Sequence, residues 1–208
     1  MKTAAPRILL TGFGPFPGAP ENPTSWLVDR LAGDPPKGEG VGAFRAEVLD
    51  VEYHSVGPRL SALGQGFAPD IAIHFGLAQE ARGFRLERIA RNSHADARPD
   101  QAGRLPAGLR VCAGPDNLPS TLPLDAIAGA LSAKNLPMEW SDDAGGYLCN
   151  TVFVLSRFHA CEGLRPAMSG FIHVPAFGPG PESITPRLLE TGARIAIAAC
   201  AAAWDKAI

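Results

Sequence analysis

Short segments with strand character alternate along this chain with longer segments in which apolar residues recur every three or four positions. Strands are predicted at residues 7–11, 44–53, 70–76 and 170–174. Residues 70–76 are apolar almost throughout, which is typical of a central strand in a parallel sheet. Residues 84–92 are extended in composition but carry several charges. The predicted strands are therefore spread over most of the chain.

Helices are predicted in the intervals between these strands. They cover residues 23–31, 54–63, 124–133, 146–160 and a C-terminal segment from 186 through 197 towards 204. The first and last have clear starts, because Asn22 precedes Pro23 and Thr185 precedes Pro186. An N-cap side chain followed by proline at the first helical position is a typical helix start. The stretch between the third and fourth helices is predicted as a loop, and residues 93–118 show no clear periodicity.

The alternation of strands and helices predicts an α/β domain with a largely parallel sheet. No internal repeat or linker interrupts the pattern, so residues 1–208 are expected to form a single domain. A chain of 208 residues is long enough to bury a sizeable core.

Composition narrows the functional classes. Hydrophobic residues make up 46% of the chain, the mean hydropathy is +0.03 and the net charge is −2. Without a surplus of basic residues the chain is not expected to bind nucleic acid. Residues 1–7 lack the apolar length of a signal peptide, and the longest apolar-rich segment, 195–204, is far shorter than a membrane span. We therefore expect a cytoplasmic protein that does not enter a membrane.

The four cysteines are Cys112, Cys149, Cys161 and Cys200. None lies in a C-x-x-C pair or at zinc-finger spacing, so neither a structural metal nor a disulfide is expected. Free cysteines are often small buried hydrophobic residues, and we predict this for three of the four. Cys149 differs because it follows Gly146 by three residues, which places it near a predicted helix N-terminus. There the helix dipole and the free N–H groups favour the thiolate and could hold an oxyanion. A buried helix cysteine is the alternative.

His173 ends an apolar strand, and active sites of α/β proteins form at the carboxyl ends of strands. A histidine is the usual base that activates a cysteine nucleophile. A core histidine is the alternative, and His74, also within an apolar run, is the main rival for the role of base. The other histidines, His54, His94 and His159, are predicted on the surface or in loops.

Glu87 lies among apolar residues in the charged segment 84–92. Such a carboxylate could orient a catalytic imidazole, as the acidic member of a triad does. It could equally pair with Arg88 or Arg91 on a solvated strand.

The loop at residues 12–18 follows the first strand, but it does not fit a dinucleotide-binding loop. Its third glycine comes one residue late, and two prolines remove backbone donors that a phosphate would need. Phe13 and Phe16 instead suit an apolar pocket for a small ring. Packing of both rings on the core is the alternative.

Taken together, these segments resemble the pyroglutamyl peptidase I family (pyrrolidone-carboxylate peptidases) of cysteine peptidases. The matching segments occur in the family's order and span nearly the whole chain. They are residues 11–13, 15–16, 22–23, 76–78, 87–90 with 92, 96–100, 144–150 and 170–175.

The resemblance implies a single α/β domain with a twisted, largely parallel central sheet flanked by helices. It implies hydrolytic removal of N-terminal pyroglutamate (5-oxoproline) from peptides, without a metal or cofactor, and members of the family are often tetramers. By the same resemblance Cys149 is the nucleophile, His173 the general base and then acid, and Glu87 the carboxylate that orients the histidine.

The resemblance also implies the residues that bind the substrate. Phe13 and Phe16 match the aromatic residues that hold the pyrrolidone ring, and Leu148 precedes the nucleophile in the same signature. Asn22 matches an asparagine of the same pocket, and Arg98 matches an arginine near the oxyanion region.

The chain departs from the family pattern at four places. The turn at residues 79–83 is altered, Arg91 replaces an aliphatic residue, an apolar residue is missing between Arg98 and Pro99, and residues 176–179 are unusual. Two alternatives to a pyroglutamyl peptidase therefore stay open. One is a related cysteine hydrolase of another small cyclic amide, and the other is a non-catalytic binder of pyroglutamyl peptides.

Overall fold

The computed structural model describes residues 4–38, 40–180 and 183–204. The strands are β1 (Arg7–Phe13), β2 (Ala43–Leu49), β3 (Ile71–Leu77), β4 (Phe84–Glu87), β5 (Ile89–Arg91), β6 (Asn117–Pro119), β7 (Met138–Ser141) and β8 (Met168–Val174). The helices are α1 (Pro23–Gly33), α2 (Tyr53–Phe67), α3 (Leu124–Ser132), α4 (Leu148–Arg157) and α5 (Pro186–Trp204). The ends of the predicted domain, residues 1–3 and 205–208, lie outside the described residues.

Six strands form the central sheet in the order β2-β1-β3-β8-β4-β7. The first four are mutually parallel, whereas β4 is antiparallel to β8, and β7 runs parallel to β4. The prediction of a largely parallel α/β sheet is confirmed. Strands β5 and β6 form a separate antiparallel pair.

Both faces of the sheet are covered, because successive side chains of a strand point to opposite faces. On one face Ile8 and Leu10 of β1 pack in a core that includes residues of α1, α3 and α5. On the other face Leu9 and Phe13 pack with residues of α2 and α4. The central strands are therefore buried on both faces, which is why their sequences are largely apolar.

The predicted helix starts are confirmed. Asn22 Oδ1 accepts a hydrogen bond from the backbone N–H of Thr24 at 3.0 Å, and Thr185 Oγ1 accepts one from Leu188 N at 3.3 Å. Helix α4 is shorter than predicted and begins at Leu148. In the described ranges no helix combines the length and apolar character needed to cross a membrane.

The prediction of a loop between α3 and α4 is wrong in part, because β7 lies there. This strand has only four residues, at the edge of the sheet, and it pairs with β4. None of its residues is fully buried, so it lacks the apolar run that marks the inner strands. The charged segment 84–92 also divides into two strands, β4 and β5, which belong to different sheets.

Candidate active site

A cavity of about 710 Å³ lies where β1, β3 and β8 end and α4 begins. Every site residue predicted from the sequence lines this cavity except Glu87, which is fully buried beneath it. The fold therefore brings the predicted site residues, drawn from positions 13 to 173, to one edge of the sheet. This is the edge at which α/β proteins bind their ligands.

Cys149 is the second residue of α4, with Tyr147 at the N-cap position. Tyr147 makes no side-chain capping bond, and the first N–H groups of a helix have no intrahelical acceptor. Within the described part of the chain, no acceptor is found for the N–H groups of Leu148 and Cys149. These groups and the helix dipole favour negative charge at the cysteine and beside it. The predicted position of Cys149 at a helix N-terminus is thus confirmed.

Gly76, near the end of β3, provides the space for the thiol. A Cβ atom at this position would lie 2.7 Å from Cys149 Sγ and 2.7 Å from Phe171 Cζ. Any side chain here would displace either the sulfur or the aromatic ring. The glycine thus allows the helix N-terminus to approach the sheet closely.

His173 lies on β8, with its ring held by Glu87. His173 Nδ1 and Glu87 Oε1 are 2.8 Å apart, and the side chains are 6% and 0% exposed. Because Nδ1 is bonded to the carboxylate, Nε2 is the ring nitrogen that remains for Cys149. The order carboxylate, imidazole, thiol is that of a catalytic triad.

The pKa of His173 reflects this arrangement. Burial alone would lower it, but the charge of Cys149, the hydrogen bonds to Cys149 and Glu87, and the charge of Glu87 raise it to about 9. The imidazolium form of His173 is therefore stabilised by the sulfur of Cys149 on one side and by the carboxylate of Glu87 on the other. Such a histidine can hold the thiol proton and later give it to a leaving group.

One side of the cavity is aromatic. Phe13 is buried at the end of β1, Phe16 is partly exposed, and the Phe16 and Tyr147 rings lie 6.4 Å apart. Leu148 is buried beside Cys149 and also lines the cavity. The rings of Phe13 and Phe16 therefore line the cavity and also pack on the core.

Asn22 and Arg98 line the cavity but are used in different ways. Asn22 caps α1 and donates from Nδ2 to the carbonyl of Gly14 at 3.1 Å, so its amide holds the loop that carries Phe13. The Arg98 guanidinium lies 4.5 Å above the Tyr147 ring. Tyr147 Oη also donates to the Pro99 carbonyl at 3.2 Å. These contacts hold the segment at residues 98–99 against the start of α4.

The rival histidine lies outside the cavity. His74 is fully buried on β3, with Nδ1 2.8 Å from Thr11 Oγ1, and burial lowers its pKa to about 3. It is therefore a neutral core histidine. The surface alternative for Glu87 is also wrong, because Arg88 pairs with Asp142 and Arg91 pairs with Asp143.

Some predictions for individual residues need correction. His94 lies in a loop as predicted, but it is largely buried, with Nε2 3.1 Å from Thr151 Oγ1. Cys161 and Cys200 are buried as predicted, whereas Cys112 is half-exposed. In the part of the chain that the structure describes, no cluster of three or more His, Cys, Asp or Glu side chains could hold a metal ion.

Val51, Arg85 and Tyr147 also line the cavity, although the sequence did not single them out as site residues. Tyr147 lies within the cysteine signature at residues 144–150, and Arg85 precedes Glu87 by two residues on a strand, so both could have been found from their neighbours. Val51 follows β2 in a turn, and nothing in its local sequence points to a site.

Comparisons with known proteins show which family the chain resembles. A family model described as pyroglutamyl peptidase matches residues 6–191. The chain is 39% identical over 171 residues to a pyrrolidone-carboxylate peptidase of Pyrococcus furiosus, covering 81% of this chain and 80% of the relative. It is 35% identical over 204 residues to pyrrolidone-carboxylate peptidase 1 of Ralstonia nicotianae, covering 92% and 91%.

A solved structure shows the same similarity in three dimensions. A single-residue mutant of pyrrolidone carboxyl peptidase from the hyperthermophile Pyrococcus furiosus superposes with a TM-score of 0.86 and 32% identity. The superposition covers 95% of this chain and 99% of that chain.

Proposed function

The chain belongs to the pyroglutamyl peptidase family, and from this premise we propose that Cys149, His173 and Glu87 are the triad with which it works. The protein is a cysteine peptidase that removes N-terminal pyroglutamate from peptides. The observation that supports the residue assignment is the chain of contacts from Glu87 through His173 to Cys149 at the wall of the cavity.

The first step is attack by the Cys149 thiolate on the carbonyl carbon that joins pyroglutamate to the next residue. The carbonyl oxygen becomes an oxyanion, and the free N–H groups of Leu148 and Cys149 lie at the helix start where negative charge is favoured. The protonated Nε2 of His173 gives its proton to the departing amine as the C–N bond breaks. A thioester between pyroglutamate and Cys149 remains.

The second step is hydrolysis of this thioester. His173, now neutral, accepts a proton from water, and the resulting hydroxide attacks the acyl carbon. The C–S bond breaks, pyroglutamate leaves, and the thiolate–imidazolium pair is restored. Glu87 holds the imidazole through Nδ1 in both steps and favours its protonated form.

The acyl pocket suits a neutral ring. Pyroglutamate has no free α-amino group, so recognition needs apolar walls and a few hydrogen-bonding groups instead of an acidic side chain. We assign Phe13, Phe16 and Leu148 to these walls. The contacts of Asn22 and Arg98 favour a role in holding the pocket's loops in place.

The test is release of a fluorescent amine from a pyroglutamyl amide, compared with the corresponding prolyl amide, which carries a free amine. Turnover of the pyroglutamyl compound, lost after alkylation and in Cys149→Ala, is the expected result. Full turnover by folded Cys149→Ala would refute the assignment of the nucleophile. Binding of pyroglutamyl peptides without turnover would favour the binder, and turnover of other blocked amides in a substrate panel would favour the related hydrolase.

We further propose a cytoplasmic protein that forms a homo-oligomer, a tetramer by resemblance to the family, with no nucleic-acid or membrane partner. Light scattering coupled to size-exclusion chromatography measures the oligomeric state directly.

A further inference from the structure

We propose that Arg85 recognises a carboxylate on the leaving-group side of the scissile bond, so that the enzyme prefers substrates whose departing peptide carries a negative charge there. The proposal rests on the proposed pyroglutamyl peptidase activity and adds a specificity-determining residue to it. The carboxylate has two sources, the C-terminus of a short peptide and the side chain of an acidic first residue after pyroglutamate.

Arg85 lies on the far side of His173 from the acyl pocket. In the sheet the strands follow the order β1-β3-β8-β4. Phe13 ends β1, Gly76 lies under Cys149 on β3, and His173 lies on β8. On β4, Arg85 lies directly opposite His173 in the register of the two strands. A substrate with its ring against Phe13 and its departing amine at His173 therefore extends towards Arg85.

The reversed direction of β4 puts Arg85 in the cavity. Because β4 is antiparallel to β8, its first residues lie at the edge where β8 ends. Arg85 and Glu87 share one face of the strand, since they are two residues apart. Arg85 consequently lines the cavity, while Glu87 lies deeper and holds the histidine from below.

The Arg85 side chain is held at one end and available at the other. Its Nε donates to Glu139 Oε1 at 2.6 Å, and its side chain is 23% exposed. Its terminal nitrogens make no hydrogen bond to any described residue. An arginine fixed in this way keeps a pair of donors whose spacing matches a carboxylate.

Distances along the sheet agree with such a contact. Two strand spacings separate β3 from β4, which is about 10 Å. The peptide extends by about 3.5 Å per residue, and an arginine side chain reaches into the cavity above its strand. The carboxylate of the first or second departing residue therefore comes within reach of the guanidinium.

Other charges at the cavity oppose the contact only weakly. Asp143 is paired with Arg91. Glu80 and Asp96 are exposed, and water screens charges at such positions more than it screens a largely buried arginine.

The test compares two matched pairs of substrates. One pair is pyroglutamyl-alanine and its C-terminal amide. The other is pyroglutamyl-glutamate amide and pyroglutamyl-glutamine amide. For at least one pair we expect the acidic member to have a kcat/KM about tenfold higher than the neutral one, mostly through KM, because a charged carboxylate accepts stronger hydrogen bonds from a guanidinium than a neutral amide does. The pair that shows the ratio identifies the source of the carboxylate.

In Arg85→Gln we expect the same ratio to fall to about one, and in Arg85→Lys to an intermediate value. Arg30→Gln is the matched control, because Arg30 also donates from Nε to a glutamate, Glu190, but does so between α1 and α5. This control should keep the wild-type ratio.

The outcomes separate this proposal from the function on which it rests. Turnover of none of the four substrates by the folded, reduced enzyme would contradict the proposed function. Turnover with equal kcat/KM in both pairs by the wild-type enzyme would overturn the role of Arg85 alone, even if the Arg85 variants failed to fold. A wild-type preference that persists in folded Arg85→Gln would overturn it as well.

Discussion

Nδ1 of His173 donates a hydrogen bond to Oε1 of Glu87 at 2.8 Å, although 86 residues separate the two positions. The contact depends on the reversal of one strand, since β4 runs antiparallel to β8 and places Glu87 opposite Phe171. The second carboxylate oxygen, Oε2, is buried and has no hydrogen-bond partner among the described residues. A buried carboxylate with one partner depends on the charge of that partner.

Replacing Glu87 with Gln should lower the pKa of His173 from its value of about 9, because it removes one of the negative charges that raise it. The imidazolium is then lost at a lower pH. We expect the alkaline limb of the pH profile of kcat/KM to shift to lower pH and the maximum to fall about a hundredfold or more. NMR titration of the His173 ring in both proteins measures the shift directly.

Glu190→Gln provides the control for this prediction. Glu190 pairs with Arg30 and Arg194 away from the cavity, so the variant loses the same charge without touching the triad. Its pH profile should match that of the wild type. An alkaline limb that stays in place in Glu87→Gln would contradict the role assigned to the carboxylate.

Phe16→Ala should raise the KM for a pyroglutamyl amide about tenfold, with a smaller change in kcat. The ring is partly exposed and borders the cavity, so its loss removes apolar contact with the substrate at little cost to the core. We expect the free energy of unfolding to change by about 1 kcal/mol or less. Steady-state kinetics and urea unfolding measure the two effects.

Phe13→Ala should behave differently, because Phe13 is only 3% exposed and packs in the core beneath the cavity. Truncating a buried phenylalanine costs about 3–5 kcal/mol. Equal losses of stability in the two variants would show that Phe16 is also a core residue and not a wall of the pocket.

Local signals in the sequence predict two members of the proposed triad, but not the contacts among the three residues. Cys149 and His173 are recognisable from a helix start and a strand end, which are local signals. Glu87 is not recognisable in this way, because its contact with His173 depends on the direction of β4. That direction is set by pairing with β8 and by the short edge strand β7, and neither pairing has a local signal.

Arg85 illustrates the same limit. In the sequence it is one of several charges in residues 84–92, and most of these form exposed ion pairs, such as Arg88 with Asp142. Only the register of β4 against β8 distinguishes Arg85 from its neighbours. The burial of polar residues is equally hard to predict from the sequence. His94 lies in a polar, proline-rich segment, yet it is buried by contacts with residues far away in the chain.

Gly76→Ala should reduce kcat/KM about a hundredfold or more while the protein still folds. The added Cβ would lie 2.7 Å from the Cys149 sulfur, and small displacements of a reacting group have effects of this size. Gly57→Ala is the control, because the nearest atom to its added Cβ is Leu155 Cδ1 at 4.0 Å. Reaction of the thiol with an aromatic disulfide reagent, measured beside activity, should slow in the first variant only. Unchanged thiol reactivity and activity in Gly76→Ala would contradict the close packing of Cys149 on β3.

The buried His74 should make the protein sensitive to acid. Its pKa is lowered to about 3 because burial disfavours the imidazolium, whereas an unfolded chain has a histidine pKa of about 6.5. Below pH 6.5 the unfolded state therefore binds a proton that the folded state does not. The contribution of neutral His74 to the free energy of unfolding is fully present above pH 6.5. It is lost as the pH falls towards 3, at up to about 1.4 kcal/mol per pH unit.

Urea unfolding at several pH values between 7 and 4 tests this in the wild type and in His74→Asn, in which an amide can still bond to Thr11. The variant loses ring packing and should be less stable at pH 7, but its stability should fall less steeply with acid. The difference between the two slopes isolates His74, because the other titrating groups are common to both proteins. Equal slopes in the wild type and His74→Asn would mean that His74 is protonated in the folded state, and its place in the core would then need a compensating charge.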